Sequence, residues 1–228
     1  MANFNTHIYV VAASSGLASA ALLTANHIDL NSALWLWFLG SLGGLLPDID
    51  SDNSTSLDSI FTLLTLSVIL STIYYLTKAF AGTLKFSELI IAPLLIYALL
   101  RYLIRPLFEK LTIHRGSCHS LFFLLLVALL TTQIIWRYSP NHSSIVAWLS
   151  GGFLFMGGVI HLLLDEICSV DLGNSRIKRS FGSAMKLADF SQKYATLLIF
   201  ASIVALAWLA PPTQATLEIL TNWSRFKL

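Results

Sequence analysis

The sequence predicts an all-α polytopic membrane protein, a transmembrane bundle of about seven helices. Of its 228 residues, 56% are hydrophobic and only 11% are charged, whereas soluble globular domains carry about 25% charged residues. The mean hydropathy is +0.73. The apolar residues are grouped into runs of about 14 to 20 residues, close to the length of a helix that crosses a bilayer. The net charge of +2 is too small to suggest a nucleic-acid partner.

Seven apolar runs, separated by short polar connections, are the predicted spans. They are Val10–His27, Ala33–Leu46, Leu57–Leu76, Leu89–Ile104, Leu121–Trp136, Ile145–Ile160 and Ala195–Ala210.

The first three spans differ in the features that define them. The first is rich in Ala, Ser and Gly, which favours close packing inside the bundle. The second carries Trp35 and Trp37 near its start, where indoles prefer the membrane interface, and Pro47 ends it. The third follows the polar loop Asp48–Asp58, whose Ser and Thr residues can cap it.

The remaining spans are bounded by polar turns. The fourth follows the turn Lys78–Glu88, the fifth follows His119 directly, and the sixth is uncharged. The seventh ends before Pro211 and Pro212. These boundaries predict one bundle over residues 1–212 and a short amphipathic tail over residues 213–228, which could lie flat in the interface.

The end of the sixth span carries the polar residues that organise the predicted site. His161 and Asp165 are four residues apart and therefore share one face of a helix. Ionisable side chains in a span are costly and need a partner. Candidate partners lie in three other stretches: His7, which precedes the first span, Asp48 with Asp50 after the second, and His114 to His119 before the fifth.

We expect these four stretches to meet around a divalent metal ion. Helix bundles build metal sites from side chains on several facing helices. Imidazole nitrogens with carboxylate oxygens suit zinc best, and carboxylate-rich sets also suit manganese or magnesium. Asp48 and Asp50 flank a single residue, so both could reach one ion or bridge two.

The number of spans gives a test of this expectation. With seven spans, all four stretches fall on the side that holds the N-terminus, together with nine of the 14 Lys and Arg residues. Those nine are Arg101, Arg105, Lys110, Arg115, Arg176, Lys178, Arg179, Lys186 and Lys193. The positive-inside rule therefore predicts that the N-terminus and the site are cytoplasmic.

A metal ion in this setting indicates hydrolysis, because it activates water and polarises an ester oxygen. Glu166 or Asp50 could act as general base. Arg115, with Lys178 and Arg179, could bind an anionic group such as phosphate, carried by a membrane lipid or by a soluble molecule.

Each residue also has a simpler interpretation. Asp48 and Asp50 could be loop carboxylates that cap a helix, and His7 could be solvated near the terminus. His161 could pair with Asp165 without a metal, and Arg115 could be one more positive-inside charge. The convergence of these stretches on one side favours the metal site.

Four motifs in order resemble one known family. G-x-x-L-P-D-I-D, H-R-G-x-x-H-S, H-L-L-L-D-E and the following S-V-D-L-G-N-S-R-I-K-R-S-F-G-S-A-M-K-L are similar to those of the YdjM family, bacterial inner-membrane proteins described as predicted metal-dependent hydrolases. The resemblance implies an inner-membrane location. It also implies the following set of metal ligands: His7, Asp48, Asp50, His114, His119, His161 and Asp165.

A fainter resemblance to zinc-dependent phospholipase C proteins favours a phosphoester substrate. The sequence thus predicts a membrane-bound hydrolase of an anionic, lipid or phosphoester substrate. The alternatives are a transporter or channel that uses the same polar residues, and a non-catalytic membrane protein with a structural metal site. No motif indicates an oligomeric state.

Overall fold

The computed structural model describes residues 4–50, 55–80, 85–111, 118–138, 143–171, 176–177 and 185–221. These residues are almost entirely helical, which confirms the all-α class. The α-helices are α1 (Phe4–Thr24), α2 (Leu30–Gly43), α3 (Thr55–Ala79), α4 (Phe86–Ala98), α5 (Arg105–Leu111), α6 (Leu121–Tyr138), α7 (Ser144–Ser169), α8 (Lys193–Trp208) and α9 (Gln214–Thr221). The other elements are a 3-10 turn at Pro47–Asp50, a π-helical segment at Leu99–Ile104, and the short antiparallel strands β1 (Val170–Asp171) and β2 (Arg176–Ile177).

Each predicted span coincides with a helix. Five helical stretches are long and apolar enough to cross a membrane: α1, most of α3, the continuous run Phe86–Glu109, α6 and most of α7. The run Phe86–Glu109 joins α4, the π-helical segment and the start of α5. The remaining two predicted spans are the shorter helices α2 and α8, of 14 and 16 residues.

The first helix starts earlier than the sequence indicates. It begins at Phe4 rather than Val10, so the prediction that His7 precedes the first span is wrong. Asn5, Thr6 and His7 read as a polar flank in the sequence. In the structure His7 is only 3% exposed and its imidazole meets the carboxylate of Asp165, so the helix can include it without leaving it alone in an apolar setting.

The chain divides into two compact units: Met1–Asp48 with Arg115–Leu228, and Ile49–His114. In the second unit, Arg101 and Arg105 both donate to the carboxylate of Asp58, and Arg105 Nε donates to Glu109 Oε1 at 2.9 Å. These contacts tie α3 to the helical run that contains α5. The predicted single bundle and interfacial tail stay predictions, and residues 222–228 of that tail lie outside the described residues.

In the first unit, α2 packs against α7 with almost no side chain between the two backbones. A Cβ added to Gly157 would lie 2.0 Å from the carbonyl oxygen of Gly40, and one added to Gly43 would lie 2.1 Å from that of Leu154. Small residues allow this approach where van der Waals contact drives helix association. Farther along, Leu36 of α2 packs with Leu149 and Phe153 of α7 and with Leu22 of α1 in an apolar cluster.

The outer faces of the spans are apolar. The run Phe86–Glu109 buries none of its side chains, and large residues such as Leu95, Tyr102 and Leu198 are more than half exposed. Contiguous apolar surface on this scale is unstable in water and is normal against lipid tails. The exterior therefore agrees with a membrane protein.

The glycine contact gives a test of stability. Gly157→Ala should lower the melting temperature of the protein in mild detergent, because its new methyl group must push α2 away at a cost of about 1–3 kcal/mol. Gly152→Ala, on the same helix, is the matched control, because an added Cβ there meets nothing within 4 Å. Equal melting temperatures for the two variants would contradict the contact.

Candidate metal centre

The site is built where four helix ends of the first unit meet. His7 lies in the first turns of α1, and Asp48 lies in the 3-10 turn that follows α2. His119 directly precedes α6, whereas His161 and Asp165 lie near the end of α7. Because α1 and α6 begin at the end of the unit where α2 and α7 finish, residues far apart in sequence come together.

Pairing of the start of α6 with a later segment fixes the position of His119. The backbone N–H of Leu121 donates to the carbonyl oxygen of Lys186 at 3.0 Å, and that of Phe122 donates to Leu187 at 3.1 Å. The first N–H groups of a helix have no partner within the helix, so these two bonds satisfy them. They anchor the residues that follow His119, which is 2% exposed.

Three imidazoles and two carboxylates converge in this site. His7 Nε2 is 3.2 Å from Asp165 Oδ1, and His161 Nε2 is 3.8 Å from Asp165 Oδ2. Asp48 Oδ1 is 3.5 Å from His119 Nε2 and 3.6 Å from His161 Nε2. The donors form two groups, His7 with His161 and Asp165, and Asp48 with His119 and His161. His161 belongs to both groups and is therefore the centre of the site.

A backbone carbonyl determines which nitrogen of His161 faces the carboxylates. Nδ1 of His161 lies 2.6 Å from the carbonyl oxygen of Gly44. A carbonyl oxygen only accepts, so Nδ1 carries the proton and donates it. In the neutral imidazole this leaves the lone pair on Nε2, which is the arrangement that metal-binding histidines adopt.

The electrostatics of the site require a positive charge at its centre. The lone pair of His161 Nε2 faces oxygens of both Asp48 and Asp165, and His161 and Asp165 are 1% and 2% exposed. Negative oxygens around a buried lone pair repel it unless a proton on Nε2 or a cation lies between them.

Asp48 is the more accessible carboxylate, with a side chain 20% exposed. Its partial burial would raise its pKa. The interaction with His161 and the charges of His161, His119 and His7 outweigh burial and hold the pKa of Asp48 below its ordinary value. The Asp48 side chain is therefore an ionised carboxylate at neutral pH, the form that binds metal ions.

The donor set fits a divalent cation. Metal–nitrogen and metal–oxygen bonds of about 2.0–2.2 Å in tetrahedral geometry place neighbouring donor atoms about 3.3–3.6 Å apart. The four His–Asp spacings here run from 3.2 to 3.8 Å, and the donor atoms of each group lie within 4.8 Å of one another. Nε2 of His161, which faces both carboxylates, is buried without a hydrogen-bond partner among the described residues. A buried imidazole nitrogen with no such partner is a ready ligand.

Five of the predicted ligands thus lie together: His7, Asp48, His119, His161 and Asp165. Glu166, the predicted general base, follows Asp165 on α7 and belongs to neither group of donors. Four other predicted site residues lie outside the described residues: His114, Arg115, Lys178 and Arg179. For Asp50 the structure describes the backbone but not the side chain. Their roles stay predictions.

The sequence did not reveal the part played by Gly44. A backbone carbonyl has no side-chain signature, so only indirect signals could have indicated it. One such signal is the series of glycines at positions 40, 43 and 44, at the end of a short helix that precedes two aspartates.

Comparison with known proteins agrees with the assignment of the chain as a membrane protein. The family model described as "YdjM inner membrane protein" matches residues 1–174. That stretch contains all five residues of the cluster. No curated protein and no solved structure matches the chain.

Loss of the shared histidine should remove metal binding. We expect His161→Ala to weaken zinc affinity by more than the roughly 10- to 100-fold that loss of an outer-shell partner costs, because His161 belongs to both groups. Competition with a chromophoric chelator in detergent measures this affinity. His27→Ala is the control, since His27 follows α1 at the end opposite His7. Unchanged affinity in His161→Ala would show that the cluster is not the metal site.

Proposed function

The chain belongs to the YdjM family of inner membrane proteins, and we propose that it acts there as a metal-dependent hydrolase of an anionic, lipid-borne ester. The observation that carries this proposal is the pair of His/Asp groups that share His161. In both, the Nε2 lone pair of this buried residue is directed at carboxylates by the carbonyl of Gly44.

The cluster is suited to chemistry as well as to structural support. A structural zinc site is closed, with four protein ligands, whereas a catalytic site keeps a position open. Here His119, His161 and Asp165 are at most 2% exposed, while the side chain of Asp48 is 20% exposed. Water and substrate can therefore reach the site from the side of Asp48.

Several residues of the chain would contribute to hydrolysis. His7, Asp48, His119, His161 and Asp165 would hold divalent metal, with zinc as the first choice and manganese or magnesium as alternatives. Such an ion supplies an activated water and polarises an ester oxygen.

Other residues would act on the substrate. Glu166 or Asp50 would accept a proton from water as general base. Arg115, Lys178 and Arg179 would bind the anionic group.

The substrate and the orientation follow from the place of the site in the chain. The five clustered residues lie at or beside helix ends, and in a bilayer they would lie close to the depth of lipid headgroups. Membrane lipids carry their phosphate esters at that depth, so a phospholipid or lipid-linked phosphate is the proposed substrate. The excess of Lys and Arg on this side supports a cytoplasmic site.

One observation favours transport as a second candidate. Ser15 and Ser19 are buried on the same face of α1 as His7, with exposures of 0% and 5%. Such a row of small polar groups could continue an ion path from the site along the helix. A transporter would move ions across proteoliposomes without cleaving lipid.

The hydrolase should release product from a lipid phosphate only when metal is present. Protein in mixed micelles with phosphatidic acid, a lipid-linked diphosphate or a phosphodiester lipid is assayed for phosphate and headgroup release, before and after chelation. Zinc or manganese should restore the activity of the chelated protein. Glu166→Gln should lower kcat by about 10²- to 10⁴-fold, the usual contribution of a general base, while the metal content stays unchanged.

Glu218→Gln is the matched control, because Glu218 is an exposed residue of α9. It should retain wild-type kcat. Protein that keeps its metal but cleaves none of the three lipids would refute the hydrolase. Metal-dependent ion flux in proteoliposomes would then favour the transporter.

A further inference from the structure

The imidazole rings of His7 and His161 are stacked face to face. Their centroids are 3.7 Å apart and their planes differ by only 10°. Both residues are almost fully buried, at 3% and 1% exposure. This stacking has a direct consequence for how many metal ions the centre can hold.

A histidine binds a metal ion through a lone pair that lies in the plane of its ring. An ion bound well by His7 therefore lies in the plane of His7, and an ion bound well by His161 lies in the plane of His161. Because these planes are nearly parallel and the ring centroids are 3.7 Å apart, no point lies close to both planes. A single ion shared equally by the two rings would lie well out of both planes, which is poor geometry for bonds of about 2.0–2.1 Å.

Asp165 connects the two rings in the way that a bridging carboxylate connects two ions. Its Oδ1 lies 3.2 Å from Nε2 of His7, and its Oδ2 lies 3.8 Å from Nε2 of His161. Each oxygen of one carboxylate thus faces a different imidazole. This arrangement is expected if Oδ1 and His7 bind one ion and Oδ2 and His161 bind a second ion.

The other donors of the described residues belong to the His161 side. Asp48 Oδ1 is within 3.6 Å of Nε2 of both His119 and His161. These three donors lie within 4.8 Å of one another, and Asp165 Oδ2 borders them at 3.8 Å from His161 Nε2. On the other side the described residues give two donors, His7 and Asp165 Oδ1, which leaves positions for water or substrate.

We propose that the centre holds two divalent ions bridged by Asp165, one bound by Asp48, His119 and His161 and the other by His7. The proposal rests on the proposed function and makes it more specific. The 3.7 Å between the ring centroids is compatible with the separation of about 3.5–4 Å between ions in two-metal hydrolases of phosphate esters.

The charge of a centre with two ions suits the proposed anionic substrate. Two carboxylates and three neutral imidazoles carry a charge of −2. One divalent ion would neutralise this charge, and two would leave the centre at +2. A centre of that charge attracts an anionic group such as a phosphate ester, which a neutral centre would not do.

Manganese titration of the metal-free protein in detergent, followed by electron paramagnetic resonance, tests the proposal. Wild-type protein should bind two equivalents. The second should reduce the six-line signal of the first and produce the signal of an exchange-coupled pair. His7→Phe keeps a ring in the stack but removes both nitrogens, and it should bind one equivalent with an uncoupled signal. His7→Ala serves if the larger ring disturbs the fold.

His27→Phe is the matched control and should bind two coupled ions. The proposal is overturned if wild-type protein binds a single equivalent, if the second binds only at millimolar concentration, or if His7→Phe and His7→Ala still bind two coupled ions. A single ion with retained lipid cleavage would overturn the two-ion centre alone. A protein that binds no metal and cleaves no lipid would overturn the proposed hydrolase as well.

Discussion

The hydrogen bond from His161 Nδ1 to the carbonyl oxygen of Gly44 is the constraint on which the rest of the centre depends. A bond of 2.6 Å between these atoms requires the end of α2 to lie directly against α7. Helix axes usually pack about 8–10 Å apart, held there by their side chains. Glycines at positions 40, 43 and 157 remove those side chains where the two backbones meet. Without that approach Asp48, which follows α2, would not reach His161.

The arrangement also explains how a membrane protein can tolerate this much buried polarity. Taking a carboxylate out of water costs several kcal/mol even after the protein relaxes. Asp165 and three imidazoles are nearly inaccessible. A bound cation would offset the cost for all of them at once, because it interacts with every donor. The two arginine contacts of Asp58, by contrast, satisfy that carboxylate with side chains alone.

The sequence predicted the fold well because a bilayer imposes a single length and polarity on every span. It also predicted that His161 and Asp165 share one face of α7, since they are one helical turn apart. It failed where the answer depends on contacts between helices. His7 looked like part of a polar flank, because only its contact with Asp165 allows α1 to include it.

The stack of His7 on His161 had no signal in the sequence, because it depends on how α1 lies against α7. Gly44 acts through its backbone, which every residue shares. Any residue could supply a carbonyl at position 44. The glycines near it are the sequence feature that indicates close contact between α2 and another helix. Composition thus predicts where a chain crosses the membrane, whereas the geometry of a centre depends on the packing of its helices.

The position of the centre at the helix ends links its chemistry to its surroundings. In a cluster at mid-membrane, the charged side chains would be fully desolvated, and the cluster would contact only acyl chains. One in an aqueous loop would lose the low dielectric that strengthens its interactions. At the end of α7, His161 and Asp165 form the buried side of the cluster, and the more exposed Asp48 forms its open side. A lipid could then present its ester to the open side while its chains remain in the bilayer, so the burial that makes the cluster costly also selects the proposed substrate.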